Sequence, residues 1–265
     1  MKKILGMLFA FSLLLAACGE ETKQENEVLK VASLIPPMTE MLEIAKTQLA
    51  EEGIDLEIVI LGDNVQPNAA LAANEVDVNF FQHVPYMEQY NRNNKANLVA
   101  VEPIYFANYG MYSKAYKDLN DLPKGATVAI ANDISNVDRS LQLLAQHNII
   151  TLKEKTDIYY TVNDVDQNPK KLNFEEVDLL MLSRMYDDAD AVVMTPAYAA
   201  PLGLTPKKDA LVTEGIENEF AITLVAREDN KDDARIQKLA KALTSAEVKA
   251  YLEENYADTA IPAFE

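Results

Sequence analysis

Asp77-Val78-Asn79-Phe80-Phe81-Gln82-His83-Val84-Pro85-Tyr86 holds the end of a strand and the start of a helix within ten residues. Residues 76–80 read as the strand, and Pro85 suits the first turn of a helix over 84–95. The residue before a proline is pushed away from helical backbone, so residues 82–84 are expected to turn at the strand's C-terminal end. In open α/β sheets that end faces the ligand crevice. Two phenylalanines, one of the chain's two histidines and a tyrosine stand there together. Rings around one imidazole suit a ligand with an apolar side chain and a polar head. From chemistry alone, Phe80 and Phe81 read at least as readily as core residues, and His83 as a turn histidine satisfied by its neighbours.

Outward from this stretch, strands and helices alternate in two successive sets. Leu29-Lys30-Val31-Ala32-Ser33 is a strand and Pro36-Pro37 a turn. Thr39 is placed to cap a helix with Met41, Leu42, Ile44, Ala45 and Leu49 on one face, ended by Gly53. A strand over 56–60, a short helix over 67–74 and one or two strands over 98–112 complete the first set. The second set opens with a strand over 127–130 and a helix over 136–147. Short strands are expected at 157–160 and 173–177, a helix at 178–186, a strand at 191–194 and a helical turn at 198–202. Strands at 210–212 and 220–226 follow, then a C-terminal helix from about 232 to 255, broken near Ser245.

Such alternation means an α/β protein. No Gly/Ser-rich linker divides the sets, so the expectation is two lobes sharing crossover strands near 105–112 and 213–222. The boundaries read from the sequence are 29–110 plus 220–265 for lobe 1 and 111–219 for lobe 2. Clefts between lobes are the usual seat of small ligands, and such lobes close by hinge rotation.

The N-terminus carries its own instruction. Met1-Lys2-Lys3 is positive, residues 4–17 are apolar, and the run is shorter than the roughly 20 residues a spanning helix needs. It ends in Leu15-Ala16-Ala17-Cys18, with Cys18 the chain's single cysteine. That has the form of a bacterial lipobox: residues 1–17 are read as a signal peptide and Cys18 as the site of acylation. Residues 18–28 are then a polar tether. Two or three acyl chains hold stably at about 0.8 kcal/mol per buried methylene. With Cys18 acylated, no thiol is left for a disulfide or a nucleophile.

The whole chain has 24 Lys+Arg against 42 Asp+Glu, and removing Lys2 and Lys3 takes its formal charge from −18 to −20. Such an acidic chain is a poor partner for nucleic acid, which is held by neutralising phosphates. It also does not lie on an anionic membrane surface.

A second informative stretch is Ala131-Asn132-Asp133-Ile134-Ser135-Asn136-Val137-Asp138-Arg139. Asn132, Asp133, Ser135 and Asn136 are all N-cap types, and free N–H groups at a helix start favour an anion. Arg139 then falls in the first turn, where its charge opposes the macrodipole unless something negative compensates. A ligand carboxylate gripped by the planar guanidinium would do so; a surface pair with Asp133 or Asp138 would do so too. No P-loop, GxSxG, HExxH or GxGxxG occurs, His83 and His147 stand alone, and His147 is placed on a helix surface. The acidic run Tyr186-Asp187-Asp188-Ala189-Asp190 lacks calcium-loop spacing. No catalytic residue, metal site or cofactor is expected.

With both stretches in view, the chain resembles the NLPA lipoprotein family of methionine-type binding proteins from about residue 29 onward. Residues 76–86 and 132–139 carry the resemblance, supported by Val65-Gln66-Pro67-Asn68, Asn168-Pro169-Lys170-Lys171-Leu172 and Gly203-Leu204-Thr205-Pro206-Lys207-Lys208-Asp209-Ala210. It implies a type II periplasmic-binding-protein-like fold and a ligand between the lobes. It implies further an extracytoplasmic lipoprotein, anchored at the cell membrane, that serves an ABC permease and its ATPase. By position, Phe81, His83 and Tyr86 look like the pocket around the ligand's apolar side chain. Arg139 looks like its carboxylate clamp, with Asn136 beside it. Family members that bind free methionine usually carry asparagine three residues before the tyrosine matching Tyr198, where this chain has Thr195. They carry another two residues after the aromatic matching Phe220, where this chain has Ile222.

Replacing an amide with Ile removes donor and acceptor together, at roughly 1–3 kcal/mol per unmet group. The implied ligand is therefore methionine, a methionine-containing dipeptide, another apolar amino acid or a less polar molecule. A surface lipoprotein of the same fold, acting as adhesin or receptor, is the competing expectation.

Overall fold

The computed structural model describes residues 27–216 and 218–265. Cys18, the signal segment and the first part of the tether lie outside the described residues. The chain opens with β1 (Glu27–Ser33), α1 (Met38–Glu51), β2 (Ile54–Ile60), α2 (Gln66–Ala72), β3 (Val78–His83), α3 (Val84–Asn94) and β4 (Leu98–Ala107). It then crosses to a second sheet with β5 (Gly110–Tyr112), β6 (Thr127–Ala131), α4 (Ile134–Gln146), a small pair β7 (Thr151–Leu152) and β8 (Val165–Gln167), and β9 (Asn173–Val177). There follow α5 (Leu182–Asp188), β10 (Ala191–Met194), α6 (Pro196–Ala199), α7 (Pro206–Asp209) and β11 (Ala210–Thr213). The chain returns as β12 (Ala221–Arg227) and finishes with α8 (Ala234–Leu243), α9 (Ala246–Asn255) and β13 (Ala260–Pro262).

The first sheet runs β13-β4-β12-β3-β1-β2 and the second β11-β5-β10-β6-β9. Each has its own core. In the first, Leu29, Val31, Met41, Leu42, Leu49 and Leu56 pack with Ile236, Leu243 and Leu252 from α8 and α9. In the second, Val128, Ile130, Leu141, Leu144 and Val193 pack around Tyr109 and Met111. Among the described residues, the chain passes between the sheets twice, after β4 and after β11, so the molecule is two α/β lobes bridged by two short connections. Among the described residues, no helix is long and apolar enough to cross a membrane.

Several local expectations change. β1 begins at Glu27, paired with Ile54, so the last two residues assigned to the tether belong to the sheet. Pro37, not Thr39, sits at the N-cap of α1. Residues 82–84 make no separate turn. β3 runs to His83 because Ile222 of β12 pairs opposite it, and α3 starts at the next residue. Residues 157–160 are irregular rather than a strand, with Tyr160 N–H bonded to Asp138 and the Tyr159 hydroxyl donating to the Pro85 carbonyl. β13 has no counterpart in the sequence reading. The break at Ser245 is as expected, Ser245 capping α9 by accepting from Val248 N–H.

Candidate functional site

Parallel strands of both sheets end at one place. β1 delivers residues 34–38 there, β3 delivers His83, β6 leads into α4, and β10 leads into Thr195 and α6. They enclose a cavity of about 690 Å³. Phe81, His83, Tyr86 and Ile222 border it from the first sheet, and Asn136, Arg139, Thr195 and Tyr198 from the second. Its volume falls within the roughly 300–1,000 Å³ range of small-molecule sites.

His83 forms the join between strand and helix. Its Nδ1 accepts from Tyr86 N–H at 3.2 Å, capping α3. That leaves the ring proton on Nε2, which donates to Asn136 Oδ1 at 3.2 Å across the cleft. The Asn136 amide has its own orientation fixed, because Nδ2 donates to the Asp133 carboxylate at 2.9 Å. Burial first, and the nearby Arg139 charge second, push the His83 pKa down to about 3. The ring is therefore a neutral, fixed donor. Tyr86 and Phe220 meet it edge to face, with centroids 6.2 and 5.2 Å away.

Arg139 is 1 % exposed and does not point to bulk solvent. α4 starts at Ile134 with Asp133 as N-cap, two residues earlier than the periodicity suggested. Arg139 is thus in the second turn, where the macrodipole is weaker. Its compensation comes from inside the protein, and neither Asp133 nor Asp138 supplies it. Nε donates to Glu214 Oε2 at 3.0 Å, Nη2 donates to Glu214 Oε1, and Nη2 also donates to the Ala107 carbonyl at 3.0 Å. The guanidinium lies 4.3 Å from the Tyr109 ring centroid and 4.8 Å from that of Phe220. Nη1 alone among its nitrogens has no partner among the described residues. Asp138 instead pairs with Lys155 at 3.3 Å.

A second polar bridge closes the other side. The Tyr86 hydroxyl donates to the Asn64 carbonyl, and Asn64 Nδ2 donates to the Tyr198 hydroxyl, both at 3.0 Å. Burial, the main cause, raises the Tyr86 phenol well above its usual range and keeps it a donor. Behind Phe81, Asn68, Asn79 and Gln82 form a buried amide cluster in which Asn68 and Gln82 exchange two hydrogen bonds of 2.7 and 2.5 Å. It satisfies the polar backs of β3 and α2 and stiffens the strand that carries His83. Thr195 caps α6 without a side-chain hydrogen bond, and Ile222 is buried beside His83.

Glu214, Tyr109, Asn64 and the wall contributed by residues 34–38 also belong to the site and were not legible in the sequence. Only the charge on Arg139, which asked for an anion, hinted at Glu214. His147, expected on an open surface, bonds through Nε2 to the Thr213 carbonyl at 2.7 Å.

A family model described as NlpA lipoprotein matches residues 29–264. The chain is 35% identical to the methionine-binding lipoprotein MetQ of Bacillus subtilis, covering 100% of both chains. A nutrient-binding protein from Burkholderia cenocepacia, solved bound to methionine, is 35% identical and superposes with a TM-score of 0.85, covering 89% of this chain and 100% of that one. A periplasmic substrate-binding protein of an ABC transporter from Coxiella burnetii is 37% identical with a TM-score of 0.84, again over 89% of this chain and 100% of that one.

Proposed function

The chain belongs to the NlpA lipoprotein family, and from that premise we propose that it is the lipid-anchored capture protein of an ABC importer, closing on methionine or a related small amino acid or short peptide. One observation carries the reading: eight side chains drawn from both sheets border a single cavity at strand C-terminal ends, and His83 and Asn64 bond across it to Asn136 and Tyr198. Phe81, Tyr86 and Ile222 receive the apolar part of the ligand. Nη1 of Arg139 and the Asn136 amide receive its carboxylate. Neutral His83 holds the Asn136 amide in place across the cleft without adding charge. Closure buries the ligand and brings both lobes into the arrangement that a permease with its ATPase engages. Cys18, acylated, holds the protein on the extracytoplasmic face of the cell membrane.

The test is a thermal-shift screen of the mature protein with free amino acids and short peptides. A ligand at a hundred times its Kd adds about 2.7 kcal/mol of stability. For a domain of this size that raises Tm by roughly 5–10 °C. A panel that shifts nothing, together with native mass spectrometry that finds no small molecule on the purified protein, would refute capture.

A further inference from the structure

Among the described residues that border the cavity, Arg139 is the one ionised side chain, His83 being neutral. Its charge is already matched by Glu214, whose side chain is 5 % exposed and engages both Nε and Nη2. A further carboxylate, Asp133, lies one hydrogen bond behind Asn136. The wall therefore carries no surplus positive charge. A carboxylate that enters with its own ammonium leaves the buried site neutral in total. A carboxylate of the same shape without an ammonium leaves one uncompensated negative charge there, close to Glu214 and Asp133. Interactions between charges are several-fold stronger in such a shielded site than in water.

We infer that Glu214 is a specificity-determining residue: by neutralising Arg139 it confines the cleft to zwitterions and uncharged ligands and excludes simple anions. The inference rests on the proposed capture of a small amino-acid-like ligand. Glu214 acts through Arg139 and need not touch the ligand. Its place is set by the return connection between the sheets, where its N–H donates to the Tyr109 carbonyl at 3.0 Å and its Oε1 accepts from Tyr109 N–H at 3.3 Å.

The experiment is isothermal titration of the mature wild type, Glu214→Gln, Glu214→Asp and the double variant Arg139→Gln/Glu214→Gln with methionine, N-acetylmethionine and N-acetylmethioninamide. The readout is the ratio of the affinities for methionine and N-acetylmethionine, the zwitterion and the anion. Wild type favours methionine. In Glu214→Gln, where the guanidinium charge is released, the ratio falls by about tenfold or more. Glu214→Asp keeps the wild-type ratio. So does the double variant, whose wall is again neutral although it binds both compounds more weakly, and its ratio can be read even where Glu214→Gln does not fold. An unchanged ratio in Glu214→Gln, or a lowered ratio in the double variant, overturns the inference. A wild type that binds none of the three compounds refutes methionine-type capture and this inference together, whereas binding with an insensitive ratio refutes only the role of Glu214.

Discussion

Replacing Arg139 with methionine removes one partner of a buried ion pair whose side chains are 1 % and 5 % exposed. Breaking such a pair from one side costs about 3–5 kcal/mol, because the remaining carboxylate stays buried and unpaired. The Ala107 carbonyl loses its donor as well, and the Tyr109 and Phe220 rings lose a cation worth roughly 0.5–2 kcal/mol each. The expected loss is about 4–6 kcal/mol, which for a chain of this size lowers Tm by roughly 10–20 °C. Glu214→Leu alone leaves the guanidinium stranded and should cost a similar amount. The double variant Arg139→Met/Glu214→Leu removes both charges, and apolar replacement of a buried pair is often neutral or stabilising. What persists is the unpaired Tyr109 N–H and Ala107 carbonyl, at about 1–3 kcal/mol together. The double variant should therefore recover more than half of the loss suffered by either single variant, yet bind methionine at least about tenfold more weakly than wild type. Urea unfolding followed by circular dichroism measures the four stabilities, and calorimetric titration measures binding. Single variants within about 1 kcal/mol of wild type would refute the account of the pair. A double variant that binds as tightly as wild type would refute the role of Arg139.

Other outcomes follow from the same geometry. His83 titrates at about 3 when folded, against roughly 6.5 in an unfolded chain. Between those values the unfolded state binds more protons, so stability rises with pH and is lost as pH falls through this window, at up to ~1.4 kcal/mol per unit. His83→Gln should abolish that part of the slope, and urea midpoints at pH 7.5 and 4.5 that stay parallel with wild type would contradict it. Ile222→Asn combined with Thr195→Asn supplies two amides beside the cavity and should tighten methionine binding by about tenfold or more, at roughly 1 kcal/mol per hydrogen bond; unchanged or weaker binding by calorimetry would count against the reading of this wall. Cys18→Ser should move the expressed protein from the detergent phase to the aqueous phase in a cloud-point partition, and retention in detergent would exclude Cys18 as the anchor.

Much of the fold was legible because its signals are local. Alternating apolar patterns with Gly and Pro punctuation marked most strands and helices, and Ser245 marked a true helix start. What failed needed a distant partner. β3 extends to His83 only because β12, well over a hundred residues later, lies beside it. β13 is three residues long and exists because Ala260 and Ile261 find Ala107 and Phe106 across the sheet edge. The Ile-Tyr-Tyr run at 158–160 has strand-like residue types, but Tyr160 is bonded to Asp138 and Tyr159 reaches α3, so no ladder forms. The site followed the same division. Rings and amides clustered in short stretches were visible in the sequence, and the structure puts all eight at one cavity. Glu214 was invisible because 75 residues separate it from Arg139. Helix periodicity misjudged the start of α4 by two residues, which moved Arg139 from the first turn to the second.

α4 is fastened to both connections between the sheets: Arg139 to the Ala107 carbonyl, Gln146 to the Glu214 carbonyl and His147 to the Thr213 carbonyl. On the opposite side, Asn108 is tied to Thr259 and Asp258 near the C-terminus. The first strap is thus held by both halves, and the second is splinted to the half that carries α4. Any swing of the halves then bends between Asn108 and Tyr109 on one strap and after Glu214 on the other. The guanidinium that faces the cargo is also a rivet of that pivot, so whatever changes its grip on Glu214 is felt first where the molecule bends.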